Sequence, residues 1–277
     1  LRTFVSQNVN IKIDKNGFRY DPQFKPGWSP ELLLSYCYVG HFKVVRKKIF
    51  EELEGFNKKF DGSQDYDFIL RLSEKTDKII HIPEILYHWR SLPGSIAQST
   101  KEKPLSIERG RLAVKEALLR RKIKGDVIQP KFAISSNLGI FDIKYNSLDY
   151  NEKVTIIIPT KDNFQILKKC ISSIKEKTNY LNYDILVINN NSVEKETYEY
   201  LEKEKIKFIN LETKEFNFSK INNIAVEMVN TELILFMNND TEIIYPDWLL
   251  QMVGTINLDN KIGAVGARLI YGDKRIQ

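Results

Sequence analysis

The chain has 277 residues, of which 42% are hydrophobic and 28% charged, a composition that excludes a wholly disordered chain and leaves room for one large or two small cored domains. The net charge of +6 suits an anionic partner, either a nucleotide or an anionic lipid surface. No apolar run reaches the ~18–20 residues that span a bilayer, and no RNP-type, zinc-finger or basic-zipper pattern supports nucleic acid as a partner.

Residues 1–30 read as polar and loop-like, with weak strand character at 10–13 and a turn at Asp14-Lys15-Asn16-Gly17. Pro22, Pro26, Gly27 and Pro30 predict an irregular connection. Ser29 can cap a short helix with Pro30 at its first position. Residues 39–45 read as a strand, and 47–53 as a short helix stopped by Gly55. Asp61-Gly62-Ser63-Gln64-Asp65-Tyr66-Asp67 then runs into Phe68, Ile69 and Leu72 at helical spacing, which puts Asp65 and Asp67 at a helix N-terminus. Capping and the helix dipole account for one such carboxylate, and Asp67 suits that role; Asp65 is then in excess.

Residues 78–82 and 85–89 read as two short strands, with His88 near the end of the second as either a hydrogen-bonded structural residue or a metal ligand. Residues 105–123 read as a helix rich in arginine, either a solvated face or a peripheral membrane contact. Residues 127–134 and 140–145 look strand-like, within a linker or small sheet over 125–152.

From Lys153 strands and helices alternate. Strands are expected at 154–158, 183–188, 206–211, 233–237 and 262–270, and helices at 164–174, 194–203, 219–229 and 246–256. Ser219 is the expected cap of the third of these helices. This pattern predicts an α/β fold with a mostly parallel, Rossmann-like sheet covered by helices on both faces. The fourth strand, an apolar run broken by Asn238-Asn239-Asp240, reads as fully buried. Ligands in such sheets sit beyond the carboxyl ends of the strands, where Thr160 and Asp162, Asn189 to Ser192, and Asn238 to Asp240 all fall. Asp240 there is either a turn residue or a ligand for a hard divalent cation that holds a diphosphate. Neither GxGxxG nor GxxxxGK[ST] is present, so a nucleotide would be met by side chains and not by a glycine cradle.

VTIIIPTKDN, LVINNNS, FNFSKINNIAV, LILFMNNDTEI, PDWLLQMV and IGAVGARLIYGDKRIQ, over 153–277, resemble the nucleotide-binding half of a family 2 glycosyltransferase with the A-type fold. Over 11–123, YDPQFKPGWSPELLLSYCYVGHF, GFNKKFDGSQDYDFILRLSEKTDKIIHIPEILYHWR and PGSIA resemble the acceptor-side half of the same family, an α+β segment. The inverted order implies a piece of a tandem enzyme of bacterial surface-polysaccharide synthesis: residues 1–124 close a first domain, 125–152 link, and 153–277 open a second. Both chain ends fit a piece cut from a longer protein.

The resemblance implies residue roles. Thr160, Asp162, Asn189, Asn191, Asn238 and Asn239 would bind the nucleotide, with Asn189 standing where the family usually has an Asp. Asp240 would be the metal ligand, for Mg²⁺ or Mn²⁺, and His88 a further one. Asp65 would be the catalytic base, with Gln64 replacing the usual Glu. The first domain's metal motif would fall near residues 6–11, where no acid stands. The implied reaction is inverting transfer of a sugar from a nucleotide-diphosphate donor to a saccharide or lipid-linked acceptor, in the cytoplasm at the inner face of the membrane. The competing readings are a non-catalytic nucleotide-sugar-binding or scaffolding module and a nucleotidyltransferase. Cys37 and Cys170 have no ligand-like spacing and read as reduced thiols, Cys170 in the core.

Overall fold

The computed structural model describes residues 10–40, 42–82, 84–85, 87–90, 103–211 and 217–277. The PGSIA stretch and residues 6–9 lie outside them. The chain forms two compact units, Leu1–Lys144 and Tyr145–Gln277.

Unit 1 opens with β1 (Asn10–Ile13) and β2 (Arg19–Gln23), an antiparallel pair, and β3 (Tyr87–Arg90) adds to β1 in parallel. The predicted turn joins the first two: Asp14 Oδ1 accepts the N–H groups of Asn16 and Phe18 at 2.8 and 2.9 Å. Gly17 there has φ 87°, a conformation that glycine tolerates best. β2 runs through Pro22, where sequence implied irregular chain. This is the position an edge strand allows to proline, since no ladder N–H is required on its outer side.

Ser29 caps α1 (Pro30–Ser35) by accepting Leu32 N–H at 3.2 Å, as its sequence predicts. No strand forms among the described residues of 39–45 or of 78–82, because neither apolar run has a neighbour to pair with. α2 (Lys47–Glu52) ends at Gly55, whose N–H reaches Phe50 O at 2.9 Å.

α3 (Gln64–Lys75) buries Phe68, Ile69, Leu70 and Leu72. It packs on α4 (Lys103–Arg120), whose Ala113, Val114, Ala117 and Leu118 are buried. Three arginines of α4 and its end are ion-paired: Arg111 with Glu108, and Arg120 and Arg121 both with Glu74. That leaves less free charge for a lipid surface than composition suggests. β4 (Asp126–Ile128) pairs antiparallel with β5 (Asp142–Lys144). Between them, residues expected to continue a strand form α5 (Lys131–Ser135), set by Pro130 immediately before it.

Unit 2 is the expected parallel α/β layer. β6 (Val154–Thr160), β7 (Tyr183–Asn189), β8 (Lys207–Asn210) and β9 (Leu233–Phe236) form a sheet of order β8-β7-β6-β9, all parallel. Every residue of β6 is buried, as befits a strand flanked on both sides. The connecting helices are α6 (Phe164–Lys177), α7 (Lys195–Lys203) and α8 (Phe218–Glu227), followed by α9 (Trp248–Ile256). The chain steps outward from β6 to β7 to β8, then returns to place β9 on the other side of β6. Right-handed crossovers therefore set α6 and α7 on one face and α8 on the other. Ile221 and Ala225 of α8 pack on Ile157, Leu186 and Ile188. α8 is capped by Asn217, whose Oδ1 accepts Lys220 N–H at 2.9 Å; Ser219 lies inside the helix.

Two expectations are corrected here. β9 is not fully buried: Ile234 is 37% and Phe236 51% exposed, because β9 pairs with β6 alone among the described strands. Residues 262–270 form no strand; their one ladder contact is an isolated bridge from Ile270 to Ile276.

Candidate functional site

The strand order reverses at β6, so the loops leaving β6 and β9 diverge and open a crevice at the carboxyl edge of the sheet. A cleft of about 500 Å³ lies there, lined by Pro159, Thr160, Lys161, Asn163, Phe218, Asn238, Asn239 and Asp240. Asp240 thus faces space shared with the tip of β6. Its side chain is exposed, and among the described residues no cation pairs with it.

Hydrogen bonds tie the strand tips together. Asn239 Nδ2 donates to Thr160 Oγ1 at 3.0 Å, joining the ends of β9 and β6. Asn190 N–H donates to Thr160 O at 2.8 Å, joining β7 to β6. Asp162 holds the next junction: its Oδ1 accepts Val193 N–H at 2.6 Å and Glu194 N–H at 3.1 Å, and its own N–H donates to Ser192 Oγ at 2.7 Å. Asp162, Asn163 and Asn191 take left-handed φ of 53°, 56° and 55°, conformations that Asn and Asp adopt more readily than other side chains. The polar clusters after the strands are what lets both loops turn this tightly.

Asn189 is 0% exposed, its Nδ2 donating to Asn210 Oδ1 at 2.8 Å and its Oδ1 accepting Ser192 N–H at 3.3 Å. Asn191 is exposed. Cys170 lies behind the cleft, 1% exposed, with Sγ 3.7 Å from Asn238 O. Burial, with the charge of Asp240 in addition, pushes its thiol up to about 12.

The donor set fits a hard cation of a particular kind. Among the described residues no three His, Cys, Asp or Glu side chains gather, so no closed protein cage exists. One exposed carboxylate beside side-chain amides suits Mg²⁺ or Mn²⁺, ions that take one or two protein carboxylates and complete their shell from water and phosphate.

The other candidates lie in unit 1. Asp65 stands in the first turn of α3, and Lys43 Nζ reaches its Oδ2 at 3.1 Å. The pair borders a cavity of about 300 Å³ walled by Phe50, Phe56 and Phe68. Lys43, 22 residues upstream of Asp65, carries no local sequence signal. Asp67 is structural: 1% exposed, it accepts from Arg71 Nη2 at 2.6 Å and Nε at 3.0 Å, while Arg71 also donates to Leu53 O and Gly55 O. His88 sits opposite Ile11 in the sheet, and its Nε2 is buried without a partner among the described residues.

Residues 155–277 match the family model described as Glycosyl transferase family 2. An uncharacterized protein, y4gI, of Sinorhizobium fredii is 36% identical over 275 residues, covering 96% of this chain and 29% of that protein. The O-antigen biosynthesis protein RfbC of Myxococcus xanthus is 36% identical over 269 residues, covering 96% of this chain and 20% of that protein. The chain thus spans less than a third of either curated relative. Among solved structures, S. aureus TarS 1-349 aligns over 38% of this chain and 32% of its own at 22% identity, with a TM-score of 0.34. Mannosyltransferase PcManGT from Pyrobaculum calidifontis, in complex with GDP-Man and Mn²⁺, aligns over 57% and 43% at 15% identity, with a TM-score of 0.35. Residues 155–277 thus carry the likeness to glycosyl transferase family 2.

Proposed function

We propose that unit 2 is the donor-binding half of a glycosyltransferase that moves a sugar from a nucleotide-diphosphate donor during surface-polysaccharide synthesis. The observation that carries this is the position of Asp240: exposed, without an ion-pair partner among the described residues, and facing a cleft at the reversal point of a parallel sheet. Asp240 would hold Mg²⁺ or Mn²⁺, which when bound stabilises the charge on a departing diphosphate. Asn238 and Asn239 flank it, with Thr160 fixed beside them. Asn191 and Asp162, in the loops that follow β7 and β6, would contact the nucleoside. Buried Asn189 acts through them, by bracing the β7 tip.

Residues 1–124 are the acceptor-side half of a preceding domain, and 125–152, which unit 1 shares with unit 2, lead into the second. Both curated relatives match 96% of the chain, which supports this order of segments within longer proteins. Asp65 is the base that takes the proton from an acceptor hydroxyl, saccharide or lipid-linked, worth about 10²–10⁴-fold in rate. Direct attack of that hydroxyl on the anomeric carbon inverts it. His88, with its unpartnered Nε2, is a metal ligand in its own domain's site. The enzyme works in the cytoplasm at the inner membrane face.

A second reading, a nucleotide-sugar-binding module without turnover, draws on the placement of Asp65 and Asp240 in separate compact units. Titration of UDP and GDP into the chain with Mn²⁺ tests the donor site. Binding that needs metal and disappears in Asp240→Asn supports it; binding indifferent to both refutes it. Metal-dependent hydrolysis of a UDP- or GDP-sugar then separates the transferase from the module.

A further inference from the structure

We infer that Lys161 binds the donor diphosphate, as the positive charge facing the one a divalent cation brings to Asp240. This rests on the donor-site reading above and adds a residue and a charge logic to it. Lys161 leaves the end of β6 directly after Thr160 and lines the same cleft as Asp240. Among the described lining residues, Lys161 is the one base and Asp240 the one acid.

The ammonium is exposed, and among the described residues no carboxylate pairs with it. Five other lysines of unit 2 are held by acids: Lys153 by Asp184, Lys175 by Glu204, Lys195 by Glu199, and both Lys169 and Lys177 by Glu242. The acid next to Lys161 is engaged elsewhere, because Asp162 turns with φ 53° and holds the start of α7 through Val193 and Glu194. A lysine without a partner, projecting from the rim of a cleft, keeps its full charge for a ligand.

The charges then balance in one way. Lys161 and Asp240 alone make the cleft close to neutral, which gives an anionic ligand little reason to enter. A divalent cation on Asp240 leaves a surplus of two positive charges, matching the two negative charges of a sugar-linked diphosphate. Lysine suits this part, as a compact point charge that follows a phosphate without demanding planar geometry. A nucleoside without phosphates offers Lys161 nothing to bind.

The test uses the 277-residue chain with Mn²⁺, titrating UDP and GDP by calorimetry and following the weaker uridine and guanosine by saturation-transfer NMR. Lys161→Met is expected to weaken whichever diphosphate binds by about 10-fold or more, as loss of a charged hydrogen bond does, and to leave its nucleoside unchanged. Lys161→Arg should retain most of the affinity. Unchanged diphosphate affinity in Lys161→Met overturns the inference. An equal loss for diphosphate and nucleoside also overturns it, since Lys161 would then merely shape the cleft. Failure of the wild-type chain to bind any of these ligands, or metal-independent binding, sinks the donor-site reading itself and shows with Lys161 intact. Melting temperatures of both variants exclude loss of fold.

Discussion

The two acids that sequence singles out sit in opposite surroundings. Asp65 is ion-paired with Lys43 at 3.1 Å, in a unit that holds 26 of the chain's 42 Lys and Arg but 17 of its 36 Asp and Glu. Asp240 has no cation beside it among the described residues, in a unit that is slightly acidic. The positive charge that first suggested an anionic partner is therefore concentrated away from the cleft proposed to take one. A divalent cation on Asp240 would supply the positive charge that this unit lacks in net. At Asp65 the charge is answered by Lys43; at the tip of unit 2 that of Asp240 is left for a ligand. Charge changes should accordingly cost stability in unit 1 and binding in unit 2.

The largest expected effect is at Asp67. Its carboxylate is 1% exposed and bound twice by Arg71, which also holds the carbonyls after α2. Asp67→Ala leaves a guanidinium in a half-buried site without its counter-charge, a change that costs about 3–5 kcal/mol. Urea unfolding followed by circular dichroism should show that loss; a cost below about 1 kcal/mol would mean the pair contributes little.

Next comes pH. Burial raises the thiols of Cys37 and Cys170 to about 12 in the folded chain. A group raised on folding stabilises fully below its unfolded value, about 8.5 for a thiol, and loses that contribution as pH climbs through the folded one. Burial raises several tyrosines as well, Tyr66 and Tyr145 among them, with the same sign. Melting temperature should thus fall between about pH 9 and 12 in both units alike. A thiol reagent at pH 8 should leave native Cys170 unmodified, since the thiolate is the reactive form. Rapid labelling without unfolding would contradict its enclosure behind the cleft.

What sequence could convey follows from what it encodes locally. The parallel sheet of unit 2 was legible because each strand is an apolar run ended by Asn, Asp or Thr, with a helical period between. Ser29, Gly17 and Gly55 were legible because caps and turns are decided within a few residues. Strands were misread at 39–45, 78–82 and 262–270 because an apolar run becomes a strand only where a neighbouring edge pairs with it. The half-exposure of β9 is the same lesson from the other side. In the cleft, Asp240 and Thr160 could be placed by position at strand ends. The enclosure of Asn189 by Asn210, and the pairing of Lys43 with Asp65, arise from contacts distant in sequence that no local pattern announces.

The sharpest use of the comparison is also the smallest in energy. Asp65→Asn removes the partner of Lys43, whose side chain is 13% exposed, while Asp65 itself is 40% exposed. Solvent screens such a pair, so the expected cost is about 1 kcal/mol. Asp240→Asn removes a carboxylate that no described cation pairs with, and should change stability by less than about 0.5 kcal/mol. Adding Mn²⁺ with UDP or GDP should then raise the melting temperature of the wild type and of Asp65→Asn, but not of Asp240→Asn, because a ligand stabilises only a fold that binds it. The two substitutions are isosteric, so packing does not confound them. If Asp240→Asn proved the more destabilising of the two without ligand, Asp240 would be holding the β9 tip together, and its assignment as a metal ligand would lose its basis.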